Sequence, residues 1–342
     1  MKHLPYVIET GKFRGGHIQG IAVDKERKYI YCSFTTEFVK LDMMGNLIGS
    51  VRGFTGHLGC LAYHAEDGRV YASLEYKNDV IGKSVLHTLG MTQEIKNAFY
   101  IAAFDVDRIT RPDMNAETDG VMQTVFLREP TEDYLAPGHR YGCSGIDGIT
   151  FAPIEGEMRL FVAYGIYGDI QREDNDYQVL LSYRAETLAP YETVLTAKNI
   201  HEVGPLHCDK RYFVYTGNTT YGVQNLEYDA ETGAILAAVY AGKKEKFPNF
   251  KLFFIDLKEG SQAGVLEGLD GEIGEILLLR KEGLSENQIY GYHFPYGSTG
   301  MISLGDGLFY FSEDYKDDEG YASHIRLYRY TGNPEKLFEA LA

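Results

Sequence analysis

The chain has 342 residues, 44% of them hydrophobic and 24% charged, and a formal net charge of −16; this profile excludes disorder and supplies enough apolar surface for a large core. The acidic balance and the lack of any dense Lys/Arg run exclude a nucleic-acid partner, because phosphate recognition needs clustered cations. No segment approaches the ~18 apolar residues of a membrane span, and "MKHLPYVIETGKF" lacks the apolar core of a secretory leader, so no membrane partner is expected and the expected location is cytoplasmic.

In chain order, the first informative stretch is "GGHIQGIAVDKERKYIYCSFTTEFVKLDMMG" (15–45). It contains three apolar runs too short for helices and rich in β-branched and aromatic residues, separated by polar turns, which predicts three strands. The same order of strand, acidic Gly-containing turn and strand returns in "HLGCLAYHAEDGRVYASLEYK" (57–77), "GIDGITFAPIEGEMRLFVAYG" (145–165), "GVQNLEYDAETGAILAAVYAG" (222–242) and "GSTGMISLGDGLFYFSEDY" (297–315). A third strand follows each copy: "EFVKLDMMG", "AFYIAAFDVD", "YQVLLSYRAE", "FKLFFIDLKEG" and "SHIRLYRYTG". Fourth strands are predicted at "NLIGSVRG", "VMQTVFL", "YETVLTA" and "EILLLRK".

Units of four antiparallel strands repeated along one chain predict an all-β fold, a single β-propeller domain over residues 1–342. Five blades are expected, with six as the alternative if a degenerate blade lies in one of the wide gaps; "RYFVYTG" (211–217) is a strand with no place in the five-blade scheme. The last copy lacks a fourth strand, since "NPEKLFEALA" reads as helical or frayed, and "PYVIETGKFR" is expected to supply it and close the ring. The insertion at 78–97 carries the helix-compatible "MTQEIKNAF".

In a propeller, the loop entering the innermost strand and the loop joining the second and third strands share one face. The residues entering the innermost strands align as His17 and Gln19, His57 and Gly59, Gly145 and Asp147, Gly222 and Gln224, Gly297 and Thr299. The long polar loops fall on the same face, the usual seat of binding or catalysis.

Asp147 is the one carboxylate in the ring Gln19, Gly59, Asp147, Gln224, Thr299, and a carboxylate at a channel mouth needs a partner. It either ligates a divalent cation such as calcium with the Gln19 and Gln224 carbonyls, acts as a general base, or caps its own tight turn. His17 and His57 occupy the same slot in adjacent blades and as a pair can bind a metal or move protons near neutral pH, or each can bond neighbouring backbone. Glu75, Asp169, Glu313 and Asp314 stand at or just beyond second-strand ends, as a glycosidase carboxylate pair or as a solvated acidic face.

His139 and Arg140 are candidates for holding an anionic group. Tyr76, Tyr164, Tyr167, Tyr240 and Tyr315 are candidates for stacking on a sugar, or for filling sheet edges. Cys32, Cys60, Cys143 and Cys208 have no paired spacing and are read as small buried hydrophobes rather than metal or disulfide ligands. Walker, zincin, nucleophile-elbow and EF-hand patterns do not occur.

The openings "GHIQGIAVD" and "GIDGITFAP" and the strand endings "FVKLD" and "IAAFD" resemble the repeats of NHL-type and regucalcin/gluconolactonase-type propellers. The resemblance implies a channel metal held by carboxylate and amide ligands, with Asp147 at the family's aspartate slot and Gln224 at its asparagine slot. His17 and Gln19 stand where that family places a glutamate. The expected function is therefore a small-molecule hydrolase-like enzyme acting on a sugar- or lactone-type substrate, lactonase- or glycosidase-like, with Asp147, His17 and His57 catalytic. Gln19, Gln224, Arg140, Glu75, Asp314, Tyr76 and Tyr164 would bind the ligand. The alternative is a non-catalytic ligand- or protein-binding scaffold.

Overall fold

The computed structural model describes residues 4–92, 94–196 and 200–342. The innermost strands, Ile18–Val23, His57–His64, Cys143–Ile154, Thr219–Asp229 and Met301–Gly305, neighbour one another in a closed ring, one per blade of a five-bladed propeller. The six-blade alternative is not realised.

Alternation along the strands explains the packing. In blade one, Ile30, Cys32 and Phe34 face blade five, while Tyr31 on the opposite face joins the core shared with blade two. The same rule gives five apolar cores, one in each gap between neighbouring blades. Cys32, Cys60 and Cys143 are free and buried in these gaps, as read from the sequence, whereas Cys208, read the same way, is free but only half-buried.

Blade one is completed by Tyr29–Phe34, Glu37–Asp42 and Leu47–Arg52, and blade two by Arg69–Tyr76, Ala98–Phe104 and Met122–Phe126. Blade three takes Glu157–Ile166, Tyr177–Tyr183 and Lys210–Tyr215. The unassigned "RYFVYTG" is thus its fourth strand, and the predicted "YETVLTA" is not. Of that segment, Thr193 bridges to Thr124 on the edge of blade two, and Ala197 lies outside the described residues.

Blade four has three paired strands, with Ala234–Ala241 and Leu252–Asp256 outside the innermost one. Its expected fourth strand is diverted: Ile273–Leu277 pairs in parallel with the edge of blade three, and at the edge of blade four Leu279 bridges to Ile255 and Tyr292 to Leu252. In blade five, Leu308–Asp317 and Gly320–Tyr330 are followed by Val7–Glu9, paired in the register Val7 to Arg326, so the N-terminal strand closes the ring as expected. The C-terminal segment is not helical: after a short turn of 3-10 helix it adds Phe338–Ala340 to the same edge, opposite Tyr328–Tyr330. In the insertion the helix is Val80–Thr88 rather than "MTQEIKNAF", of which Gln93 lies outside the described residues.

Side chains stitch the innermost strands together. Ser33 Oγ donates to the Gly59 carbonyl at 2.6 Å, and Ser73 Oγ, at the matching position of the next blade, donates to the Asp147 carbonyl at 2.6 Å. Asn225 Nδ2 donates to the carbonyls of Gln19 and Ser298, each at 2.9 Å. Each such bond satisfies a backbone group that the channel would otherwise leave unpaired.

Candidate functional site

Register breaks sit at one slot in four of the five innermost strands: Ile18/Gly20, Leu58/Leu61, Ile146/Ile149 and Val223/Asn225. A bulge re-aims the side chain it contains. Here the bulged slots hold Gln19, Gly59, Asp147 and Gln224, the ring aligned from the sequence, and Gln19, Asp147 and Gln224 line a cavity of about 560 Å³ at the channel mouth. His17, His57, Glu75, Lys77 and Ser144 complete its polar floor. Tyr167, Tyr221, Tyr240 and Tyr321 line it as well, and the helix Val80–Thr88 forms one wall through Val80, Ile81, Ser84, Val85 and Thr88. Asp79 caps that helix by accepting from Gly82 N–H at 2.9 Å.

His57 and Glu75 are directly opposite on adjacent antiparallel strands. His57 Nδ1 lies 3.7 Å from Glu75 Oε2 and 3.9 Å from Asp147 Oδ1, and it is buried without a hydrogen-bond partner. Lys77 Nζ is 2.7 Å from Glu75 Oε2 and donates to the Ser144 carbonyl at 3.2 Å. Glu75 Oε1 accepts from Ile146 N–H at 2.5 Å, and Asp147 Oδ2 accepts from Gln224 Nε2 at 3.2 Å. Gly145, at φ +145°, is required here because a Cβ would collide with Glu75 Oε1. At the near side, Gln19 Nε2 donates to His17 Nε2 at 3.0 Å and to Thr35 Oγ1 at 3.2 Å.

Burial dominates the electrostatics. It pushes the Asp147 carboxyl well above the ordinary carboxylate range, with the negative charge of Glu75 adding to the effect. Glu75 is also raised by burial, but the Lys77 ammonium and the Ile146 N–H pull it back. Of two close carboxyls, the one touching the ammonium keeps the negative charge and Asp147 keeps the proton. Burial acts to lower the Lys77 pKa, and the Glu75 carboxylate, through charge and hydrogen bond, leads the effects that override it to give a net rise. Burial lowers His57 to about 3, helped by the Lys77 charge, and burial likewise lowers His17. Both imidazoles are therefore neutral at pH 7.

Of the sequence candidates, Asp147, His17, His57, Gln19, Gln224, Glu75, Tyr167 and Tyr240 line this cavity. Tyr76, Tyr164, Asp314 and Arg140 do not. Tyr76 is buried with its hydroxyl accepting from Thr55 N–H at 3.3 Å, and Tyr164 donates to buried Asp133 at 2.7 Å. Each follows or precedes by one residue a position that faces the site, so it points to the other side of its strand. Asp314 is exposed beyond the lining, near enough for its charge to raise His17 slightly against the effect of burial. Arg140 pairs with Glu272 at 3.1 Å at the half-exposed surface. Arg140→Ala is accordingly expected to leave ligand binding in the cavity unchanged in calorimetric titration and to shift stability by no more than about 1 kcal/mol.

Among the other named groups, His139 donates to the Tyr134 carbonyl, Glu313 accepts from Arg326 and Tyr328, and Asp169 accepts from Gln171 N–H. Lys77 is the central residue that sequence reasoning missed. Its signal was the spacing in "EYK", which puts residues 75 and 77 on one face of a strand end.

His57, Glu75 and Asp147 each offer a ligand atom, all within 4.8 Å of one another, the composition of a metal site. Three of the four carboxylate oxygens are already engaged by Lys77, Ile146 and Gln224, and Gln224 presents its N–H₂ rather than its carbonyl to Asp147. His57 Nδ1 and Asp147 Oδ1 remain. Zinc sites use at least three protein ligands and calcium sites six to eight oxygens, so the arrangement as it stands fits neither.

No family model and no curated protein matches the chain, so the likeness to NHL-type and gluconolactonase-type propellers rests on the repeat openings and strand endings alone. Solved structures similar to it include a Dos1 propeller, at 12% identity and TM-score 0.36 over 86% of this chain and 52% of that one, so the chain spans about half its length. A soluble aldose sugar dehydrogenase from Escherichia coli in the apo form is similar at 11% identity and TM-score 0.42, over 94% of this chain and 98% of that one. The PQQ domain of a pyranose dehydrogenase from Coprinopsis cinerea is similar at 10% identity and TM-score 0.34, over 94% and 95%. Likenesses this distant carry nothing about the substrate or cofactor of this chain.

Proposed function

We propose that the cavity is the active site of a small-molecule hydrolase working by general acid–base catalysis on a neutral, hydroxyl-rich substrate of the sugar or lactone type. The observation that carries this reading is the convergence of neutral His57, with an unpartnered Nδ1, and a proton-retaining Asp147 at 3.9 Å on the floor of a substrate-sized cavity. Groups whose surroundings push their pKa values apart are how one site runs acid and base chemistry at one pH.

Asp147 is the acid that protonates the leaving oxygen, held by Gln224 from the side chain and by Ser73 through the backbone. Neutral His57 is the base that takes the proton from the attacking water. Lys77 is the one Lys or Arg in the lining among the described residues, and it is paired with Glu75. That supports a neutral substrate over an anionic one. The tyrosines of the lining offer flat surfaces on which a sugar ring can stack.

The test is turnover of a panel of neutral aryl glycosides and lactones followed across pH. The rate should fall as pH drops through about 3, where His57 takes a proton, and fall again at high pH as Asp147 loses its own. Saturable sugar binding with no turnover of any member would favour the scaffold reading instead.

A further inference from the structure

The floor of the cavity holds a fixed positive charge that the acid–base reading leaves without a role. The Lys77 side chain is 6% exposed and that of Glu75 1%, so this is an ion pair shut away from water. Its ammonium is locked at 2.7 Å on Glu75 Oε2 and at 3.2 Å on the Ser144 carbonyl. The first turn of the helix Val80–Thr88 packs over the Lys77 backbone, where a Cβ on Gly82 would collide with the Lys77 carbonyl. The carboxylate oxygen that Lys77 occupies is the one 3.7 Å from His57 Nδ1, the same oxygen a metal shared with His57 would need.

We propose that Lys77 is the resident cation of this site, standing where a divalent metal would otherwise be held, so that the native protein works without a metal and loss of the ammonium turns the cluster into a metal site. With Lys77 present, the floor carries Glu75 and one balancing charge, and nothing draws in a doubly charged ion. Without it, Glu75 Oε2 is freed, and His57 Nδ1, Glu75 and Asp147 offer three converging ligands within 4.8 Å, enough for an open tetrahedral site. The inference concerns the charge of the cavity floor and holds whatever reaction the cavity performs.

The experiment is thermal unfolding of the full chain, native and Lys77→Ala, in EDTA and then with calcium, manganese or zinc added. The native protein should show no shift with any ion. Lys77→Ala should melt lower in EDTA and gain at least about 2 °C with one of the ions, as a ligand bound only by the native state requires. Lys77→Arg, which keeps the charge, should stay unresponsive. A native protein that gains as much as Lys77→Ala, or a folded Lys77→Ala that responds to none of the ions, would overturn the proposal. If Lys77→Ala does not fold in EDTA, elemental analysis of the dialysed native protein decides: a stoichiometric metal refutes the inference, and a metal-free protein unresponsive to the ions upholds it.

Discussion

Lys77→Met is expected to destabilise the protein by about 3 kcal/mol, and the double variant Glu75→Gln/Lys77→Met to recover most of that loss. Removing one partner of a buried pair leaves the other charge uncompensated, which typically costs about 3–5 kcal/mol, whereas replacing both is often close to neutral. Here the partner left behind is Glu75, with a side chain 1% exposed, and it escapes part of the cost by taking up a proton. The expected value therefore sits at the low end of that range. Urea denaturation of the single and double variants measures both. Equal loss in the single and the double variant would show that Lys77 acts through its packing rather than its charge.

The second large effect is on turnover. Asp147→Asn should lower kcat by about 10²- to 10⁴-fold, the usual contribution of a positioned general acid, while leaving stability nearly unchanged. The near-neutral stability follows from the proton that Asp147 already carries: an amide replaces a neutral carboxylic acid of almost the same shape, and its oxygen can still accept from Gln224 Nε2. The variant should also lose the alkaline limb of the pH profile, because the group whose ionisation sets that limb is gone. A catalytic loss accompanied by a large loss of stability would point to misfolding instead, and unaltered turnover would remove Asp147 from the mechanism.

The parts of the fold that were legible are those where local chemistry suffices. Repeated strand, turn and strand pairs marked the inner half of every blade, and the aligned strand entries placed Gln19, Asp147 and Gln224 in one ring, although the bulges that turn them into the cavity were not legible. Outer strands were less legible because an edge strand takes whichever neighbour is free. "EILLLRK" has the composition of a fourth strand, but in the fold Glu275 lies opposite Tyr212 of blade three.

The site divides in the same way. Asp147, His17 and His57 could be placed from their slots in the repeat. Lys77 was missed because "KND" reads as a solvated loop, which outweighed the "EYK" spacing, and its ammonium is buried against Glu75 and the Ser144 carbonyl of the next blade. Tyr76 and Tyr164 were misplaced although the two-residue period of a strand was sufficient to exclude them. Arg140 was misplaced for a different reason: its partner, Glu272, is distant in sequence and no local pattern announces it.

The pairing of Val7 with Arg326 also sets an order of events during biosynthesis. A ribosome releases Val7–Glu9 well before Gly320–Tyr330, and until that strand has emerged the segment lacks its partner. Through that interval the apolar faces destined to meet between the first and last sheets stay wet, Ile8 and Ile325 among them. The nascent protein therefore carries a sticky seam that only the blade-five strands can cover, and its yield in cells should depend on how quickly that blade is made.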